Sequence, residues 1–438
     1  MPAAPAADLI REQMKAFFTA PTTSSPIQFA THRKIPLPNP TGRMHMKLNP
    51  WIFVACMAFA PLSASARQAP IDAALARANA LETEMKFAEE VETLRPFADS
   101  GNAKVEYALA FAYMELAIDG QKPGEISADA IRPAIDFAQR AVTHGGANGN
   151  NLLALIYSNG WGVPVDSAKG ADYLRRGFEA GDTGAKLNYA IALYVGAPGI
   201  PRDVDRACPM LFDLISGANP DVTAAYYVGL IRFRGQCGRK ADKVAGVNII
   251  KIAADHGVRD AERDMGRNFE FGWAGPVDLP KALDWYRKAS EHGDPHSEWR
   301  IGMAYVNGEL GPKDSVKGVE YLERAAASDD GDGLVDLGVM YVTGDGVAKD
   351  FAKAKALYER AVALGQSHAY RELAAMYANG EGVAIDLVRA RLMYLQSVEI
   401  GEPESARIRA YIEAKLDAAQ MKESDRQFGE WKQKRAAQ

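Results

Sequence analysis

Seven aspartates recur along the middle of the chain, at Asp166, Asp203, Asp242, Asp278, Asp314, Asp350 and Asp386. So many carboxylates could serve acid–base chemistry or hold calcium. Either use needs them to converge, and these lie one repeat apart. Each stands just before a segment of helical periodicity. There an aspartate accepts backbone N–H bonds and complements the positive end of the helix dipole, so capping is the expected role. No serine has a lysine three residues later, the spacing that penicillin-binding serine enzymes require. Ser167-Ala168-Lys169 and Ser315-Val316-Lys317 are one residue short of it. The chain has no Gly-x-Ser-x-Gly, phosphate loop, dinucleotide fingerprint or His-Glu-x-x-His.

His144, His256 and His292 each precede a glycine at the expected end of a helix, a place that suits a cation and a left-handed cap. His292 and His296 have the four-residue spacing of a metal pair, but Gly293, Asp294 and Pro295 break the helix between them. No third ligand is evident, and no metal or other cofactor is expected. Cys208 and Cys237 sit in adjacent repeats outside any Cys-x-x-Cys motif. In an oxidising compartment they are expected to pair, the alternative being two buried free thiols.

These residues are placed by a repeat of 36. From Pro295 to Glu402 three units say nearly the same thing, the middle one reading Leu337-Gly338, Tyr341, Gly344-Asp345-Gly346-Val347, Asp350, Lys353-Ala354, Tyr358, Ala361 and Gly365. A fixed period of this size marks a stacked solenoid. Seven units run over 147–402, each a helix A, a Gly-rich turn, a helix B and a short turn. One helix A position is always small: Ala154, Ala190, Gly229, Gly266, Gly302, Gly338 and Ala374. Helix B matches it with Gly170, Ala207, Gly246, Ala282, Gly318, Ala354 and Ala390. Mid-helix glycine costs roughly 1 kcal/mol against alanine. Its recurrence predicts close A–B contact at facing small residues. Three residues further along helix A, Tyr157, Phe269, Tyr305, Tyr341 and Tyr377 are expected to fill the core.

At these residues the chain resembles the Sel-one-like repeat (SLR) family, a relative of the tetratricopeptide repeats. Leu337 to Gly365 follows the family unit closely, and Asp278 to Gly293 matches its second half. The resemblance covers about 147–402. The units at 183–219 and 220–258 depart from it in their turns, Gly196-Ala197-Pro198-Gly199 and Gly235-Gln236-Cys237-Gly238. It implies an all-α fold, a right-handed α/α superhelical solenoid of about seven to eight helix-turn-helix repeats. It also implies a concave face, lined by helix A, that binds proteins or extended peptides. Some secreted members of the family have been connected with penicillin binding or β-lactam hydrolysis. On that face the expected partner-binding residues are Tyr226, Phe233, Arg234, Arg263, Arg267, Trp299, His368 and Arg371. Aromatics and arginines are enriched at binding hot spots, and Arg234, Arg263 and Arg267 could grip a carboxylate by forked hydrogen bonds.

The flanking segments differ in composition. Residues 1–45 are rich in Pro, Ala, Thr and Ser and are expected to be a disordered, mis-assigned start. Met46-Lys47, the apolar run Trp51 to Leu62 and Ser63-Ala64-Ser65-Ala66 read as a signal peptide over 46–66. Residues 67–146 are an N-terminal helical cap and a degenerate repeat, and 403–438 are C-terminal capping helices. A formal net charge of -5 argues against nucleic-acid binding. The expectation is a periplasmic or secreted, non-enzymatic scaffold that binds a protein or extended peptide. It would have no membrane insertion once the signal is removed, and its oligomeric state is open. The alternative is a cell-wall-related enzyme acting on β-lactams or peptidoglycan.

Overall fold

The computed structural model describes residues 64–121, 125–216, 219–402 and 405–436. The expected tail at 1–45 and the signal stretch from 46 to 63 lie outside the described residues. Among the described residues there are twenty α-helices and no strand. Helices α1 (Ala64–Thr83) and α2 (Phe87–Leu94) precede the helix pairs. The first pairs are α3 (Ala103–Ile118) with α4 (Ala128–Thr143), and α5 (Asn148–Asn159) with α6 (Ser167–Glu179). Next come α7 (Thr183–Val195) with α8 (Val204–Ser216), and α9 (Val222–Arg234) with α10 (Lys243–Asp255). Then follow α11 (Arg259–Phe271) with α12 (Leu279–Glu291), and α13 (Pro295–Asn307) with α14 (Ser315–Ala327). The last are α15 (Gly331–Thr343) with α16 (Phe351–Ala363), and α17 (Ser367–Asn379) with α18 (Leu387–Glu399). Helices α19 (Ser405–Glu413) and α20 (Ala418–Ala436) close the chain. The fold is the expected all-α solenoid of helix pairs.

The seven aspartates are caps. Their side chains accept from Lys169, Arg206, Ala245, Lys281, Lys317, Lys353 and Arg389 N, all at 2.9–3.1 Å. In five units the same aspartate's N–H donates to the carbonyl of the helix A aromatic, closing the turn: Tyr157, Phe269, Tyr305, Tyr341 and Tyr377. Those rings are not all core, as the sequence suggested. Tyr341 and Tyr377 are buried, but Tyr157, Phe269 and Tyr305 are only partly so. A basic side chain three residues after the aspartate lies over each ring. The cation-to-centroid distances are 3.8 Å for Lys169, 5.7 Å for Lys281, 4.5 Å for Lys317, 5.1 Å for Lys353 and 4.4 Å for Arg389. Each ring gives one face to that cation whether it is buried, as at Tyr341 and Tyr377, or only partly so.

The small residues explain pair packing in two ways. A Cβ on Gly302 would lie 3.0 Å from Gly318 O, and one on Gly318 would lie 2.9 Å from Gly302 O. Here two backbones touch, as expected. At Gly266 the nearest obstacle is instead the ring of Tyr286, 2.6 Å from such a Cβ, and Gly338 makes the same room for Tyr358. Both tyrosines are 1% exposed, so these glycines admit a helix B ring rather than a helix B backbone.

The chain divides into two compact units, with the change at Ile252–Ala253 inside α10. In the first, α1–α3 bury Ile71, Ala78, Val91, Leu94 and Leu109, and α3–α5 bury Met114, Ile131, Leu152 and Ile156. In the second, the core runs from Leu283 and Ile301 through Leu322, Leu337 and Leu373 to Tyr394 and Ile412. Its last helix is docked: buried Arg391 holds Glu413 and Asp425 at 2.7 Å each, and Trp431 packs edge-on against Tyr370. No described helix is long and apolar enough to cross a membrane.

Candidate functional site

In the second unit the repeat stacks equivalent residues into columns on helix A. Asp260, His296, Asp332 and His368 form one column. Arg263, Trp299, Val335 and Arg371 form a second, and Asp264, Arg300, Asp336 and Glu372 a third. Helix α15 touches both α13 and α17, so a side chain on one A helix reaches the start of the next. A ladder of polar contacts results. Arg263 Nη1 donates to Asp260 Oδ1 at 2.9 Å and to Asp294 Oδ1 at 2.7 Å. Asp294 is 1% exposed and caps α13 through Ser297 N and Oγ. Burial pushes its carboxyl up, but the charge of Arg263 and the two Ser297 bonds outweigh it and hold the group below its ordinary range.

Arg267 Nη2 lies 3.2 Å from His296 Nε2. A guanidinium only donates, so Nε2 accepts and the neutral ring carries its proton on Nδ1. That nitrogen faces Asp330 Oδ2 at 3.7 Å and Asp332 Oδ2 at 3.9 Å. The His296 ring packs 4.8 Å from Trp299, whose Nε1 donates to Asp336 Oδ2 at 2.6 Å. Further on, His368 Nε2 lies 2.7 Å from Glu402 Oε2, and Arg371 meets Glu372 at 2.9 Å and Glu402 at 3.6 Å.

His296, Asp330 and Asp332 each offer one ligand atom within 4.8 Å of the others, which satisfies the distance requirement for a cation. The chemistry fits poorly. The nitrogen facing the carboxylates holds the proton, and the other faces a guanidinium instead of the acceptor that orients a metal-bound imidazole. An imidazole whose Nδ1–H faces the carboxylates suits this arrangement better than a metal ligand. Sequence reasoning missed both aspartates as neighbours of His296, although Asp332 stands one repeat after it in the same column.

Asp332 and Asp336 lie one helical turn apart on α15. Burial raises the carboxyl of each. Asp330 adds to the effect at Asp332, while at Asp336 the Trp299 bond opposes it and the charge of Asp332 reinforces it. Among the described residues no lysine or arginine comes within ion-pair distance of either.

The eight expected contact residues divide between the two units. Arg263, Arg267, Trp299, His368 and Arg371 join the ladder of the second unit. Tyr226, Phe233 and Arg234 belong to the first. Tyr226 is 1% exposed, its ring 5.1 Å from that of Tyr227, so it is core and presents nothing to a partner. Phe233 is half-buried, with Lys243 Nζ 5.7 Å from its ring centre. Arg234 Nη1 donates to Tyr194 Oη at 3.3 Å. Arg263 does grip carboxylates, but they are the chain's own. The distances explain why: successive A helices approach closely enough for an arginine on one to reach the cap of the next. In the first unit Cys208 and Cys237 are joined by a disulfide, with Cα atoms 6.2 Å apart.

The Sel1 repeat family model matches residues 147–182, 184–208, 222–258, 259–294, 295–330, 331–366 and 367–401. Among solved structures the chain is similar to a Sel1 repeat protein from Oxalobacter formigenes. Identity is 24%, coverage is 65% of this chain and 90% of that one, and the TM-score is 0.36. It is similar also to c5321, a protective antigen of uropathogenic Escherichia coli strains displaying an SLR fold. There identity is 21%, coverage 79% and 87%, and the TM-score 0.33. Immunity protein Pa5087 from Pseudomonas aeruginosa matches at 24% identity over 45% of this chain and 72% of its own, with a TM-score of 0.32. No curated protein matches the chain.

Proposed function

The chain belongs to the Sel1 repeat family, and from that premise we propose that it is a non-enzymatic scaffold of the bacterial cell envelope that binds a protein or extended peptide along the helix A face of its second unit. Sel1 repeats are helical scaffolds that often mediate protein interaction. One observation carries the finer reading. The polar ladder crosses successive A helices, and on α15 Asp332 and Asp336 stand with no lysine or arginine within ion-pair distance among the described residues. An extended chain lying across the helices would meet a half-buried indole at Trp299 and, one repeat on, two carboxylates lacking a cation. Such a face favours a partner with a basic side chain beside an apolar one. The envelope location rests on the signal-like residues 46–66 alone.

The test is a peptide-display selection on the full chain, followed by titration of the enriched peptides. Binding should weaken at least tenfold in Asp332→Asn/Asp336→Asn, a pair of substitutions that leaves shape and volume nearly unchanged. Failure to enrich any peptide, or equal binding by the variant, overturns the surface. Fractionation of cells expressing the tagged chain tests the location, and recovery in the cytoplasm would remove it.

A further inference from the structure

The first unit contains a groove of about 780 Å³ in which the two off-consensus turns meet. In five repeats the cap aspartate follows the small helix A residue by twelve positions, as in Gly338 to Asp350. Here the spacings Ala190 to Asp203 and Gly229 to Asp242 are one longer. The extra residue in the first turn is absorbed by a bridge, with Ala197 N to Ile200 O at 2.9 Å and Ile200 N to Ala197 O at 2.8 Å. That turn forms one wall with the start of α8, α6 forms another, and Gln236 and Cys237 close an end. The disulfide to Cys208 holds this end against α8.

Three independent features give the groove an electrostatic sense. Arg202 lines it and spends Nε on the carbonyl of Tyr194 at 3.1 Å, a contact that leaves its charge unmatched. Among the described residues no carboxylate comes within ion-pair distance of Arg202. Two of the three acids nearby are engaged: Asp172 is held by Arg175 and Arg176 at 2.6 Å each, and Asp203 caps Arg206 N at 3.0 Å, while Asp205 stands exposed at the rim. Secondly, Val204, Asp205 and Arg206 bring the positive end of α8 to the groove. Thirdly, Gln236 lines it, is 1% exposed, and has no partner for Nε2. The amide orientation follows from its neighbour. Tyr194 Oη accepts from Arg234, so its single proton goes to Gln236 Oε1 at 2.5 Å, and Nε2 remains over. A buried amide donor without an acceptor is costly, and a turn of this sealed side chain toward the groove would let an incoming oxygen satisfy it.

We propose that this groove binds the carboxylate of a peptide, gripped by Arg202 at the N-terminus of α8, with an adjoining apolar side chain against Tyr189, Leu193 and Ile200. A planar carboxylate matches the guanidinium fork, and the volume suits a ligand of two or three residues. The site is separate from the ladder of the second unit and does not depend on it.

The test titrates the full chain with acetyl-Leu-Phe as the free acid, as the carboxamide, and with inorganic phosphate. Binding is followed by calorimetry and by the side-chain amide resonances of Gln236 in the ¹⁵N-labelled protein. The acid should bind saturably and move those resonances, and the carboxamide should bind at least tenfold more weakly. Arg202→Gln should weaken the acid to the level of the carboxamide. Asp205→Asn, which removes an acid from the rim, should tighten it several-fold, a gain that misfolding cannot produce. Equal binding of acid and carboxamide, indifference to both substitutions, or phosphate competing at equal concentration would each overturn the proposal.

Discussion

Glu90 shows how a single residue can set the pH response. It lies on α2, is 1% exposed, and neither carboxylate oxygen has a hydrogen-bond partner. Burial, helped by the charge of Glu82, pushes its pKa up to about 7. The folded state therefore keeps a proton that the unfolded chain releases near pH 4.5. Stability falls as pH rises through that window, and the cost is complete above pH 7. Each tenfold change in proton affinity is worth roughly 1.4 kcal/mol, so the ceiling is on the order of 3 kcal/mol. Glu90→Gln should raise the melting temperature by several degrees at about pH 8 and leave it unchanged at about pH 4.5, as measured by thermal scans at both values. Glu106 on α3 is a buried carboxylate that has partners. It is fully buried, yet Arg140 Nε holds it at 3.1 Å and His144 Nδ1 at 2.7 Å.

Helices are held in pairs by contacts that allow no added volume. A side chain on Gly318 would press its Cβ to 2.5 Å from Val306 Cγ2 and 2.9 Å from the Gly302 carbonyl. Backbone cannot yield as a flexible side chain would, so Gly318→Val should cost on the order of 3 kcal/mol through overpacking. A urea titration should show a lowered midpoint, and an unchanged midpoint would mean that α13 and α14 separate freely. The turn between a pair is fixed just as tightly. Gly344 takes φ +77° to end α15, and Gly346, two residues on, lies against the Ser315 backbone at the start of the previous helix B. That contact explains why the turn motif needs two glycines: one for a left-handed cap and one for close approach.

Across the whole molecule, each repeat leans chiefly on its neighbours, so damage should stay local. Arg263 tests this. It bridges α11 to the buried cap of α13, and its removal leaves Asp294 without its cation. Arg263→Ala should destabilise by about 3 kcal/mol, as expected when one partner of a buried pair is lost. Hydrogen exchange should accelerate in α11 to α13 and remain unchanged in α3 to α6. Uniform acceleration would mean that the chain unfolds as one cooperative body. The same substitution separates structure from recognition, since an arginine that looks like a binding residue in the sequence is here an internal brace.

Periodicity alone determined the family, the helix pairs and all seven helix B caps. Those features depend on residues close in sequence, and a one-dimensional repeat exposes them directly. The pairing of Cys208 with Cys237 was also within reach, because they lie in adjacent units. The identity of the exposed residues was not. Tyr226 and Trp299 looked alike on helix A, yet the first is sealed against Tyr227 while the second holds Asp336 at the edge of a half-buried face. Asp294 read only as part of a helix break, and Asp330 drew no reading; they cap α13 and α15 and also meet Arg263 and His296. Burial and charge pairing depend on the distance between neighbouring repeats, and a period states which residues are equivalent without stating how closely they approach. Only the packed helices decide that, and with it which charges are spent inside the chain and which remain for a partner.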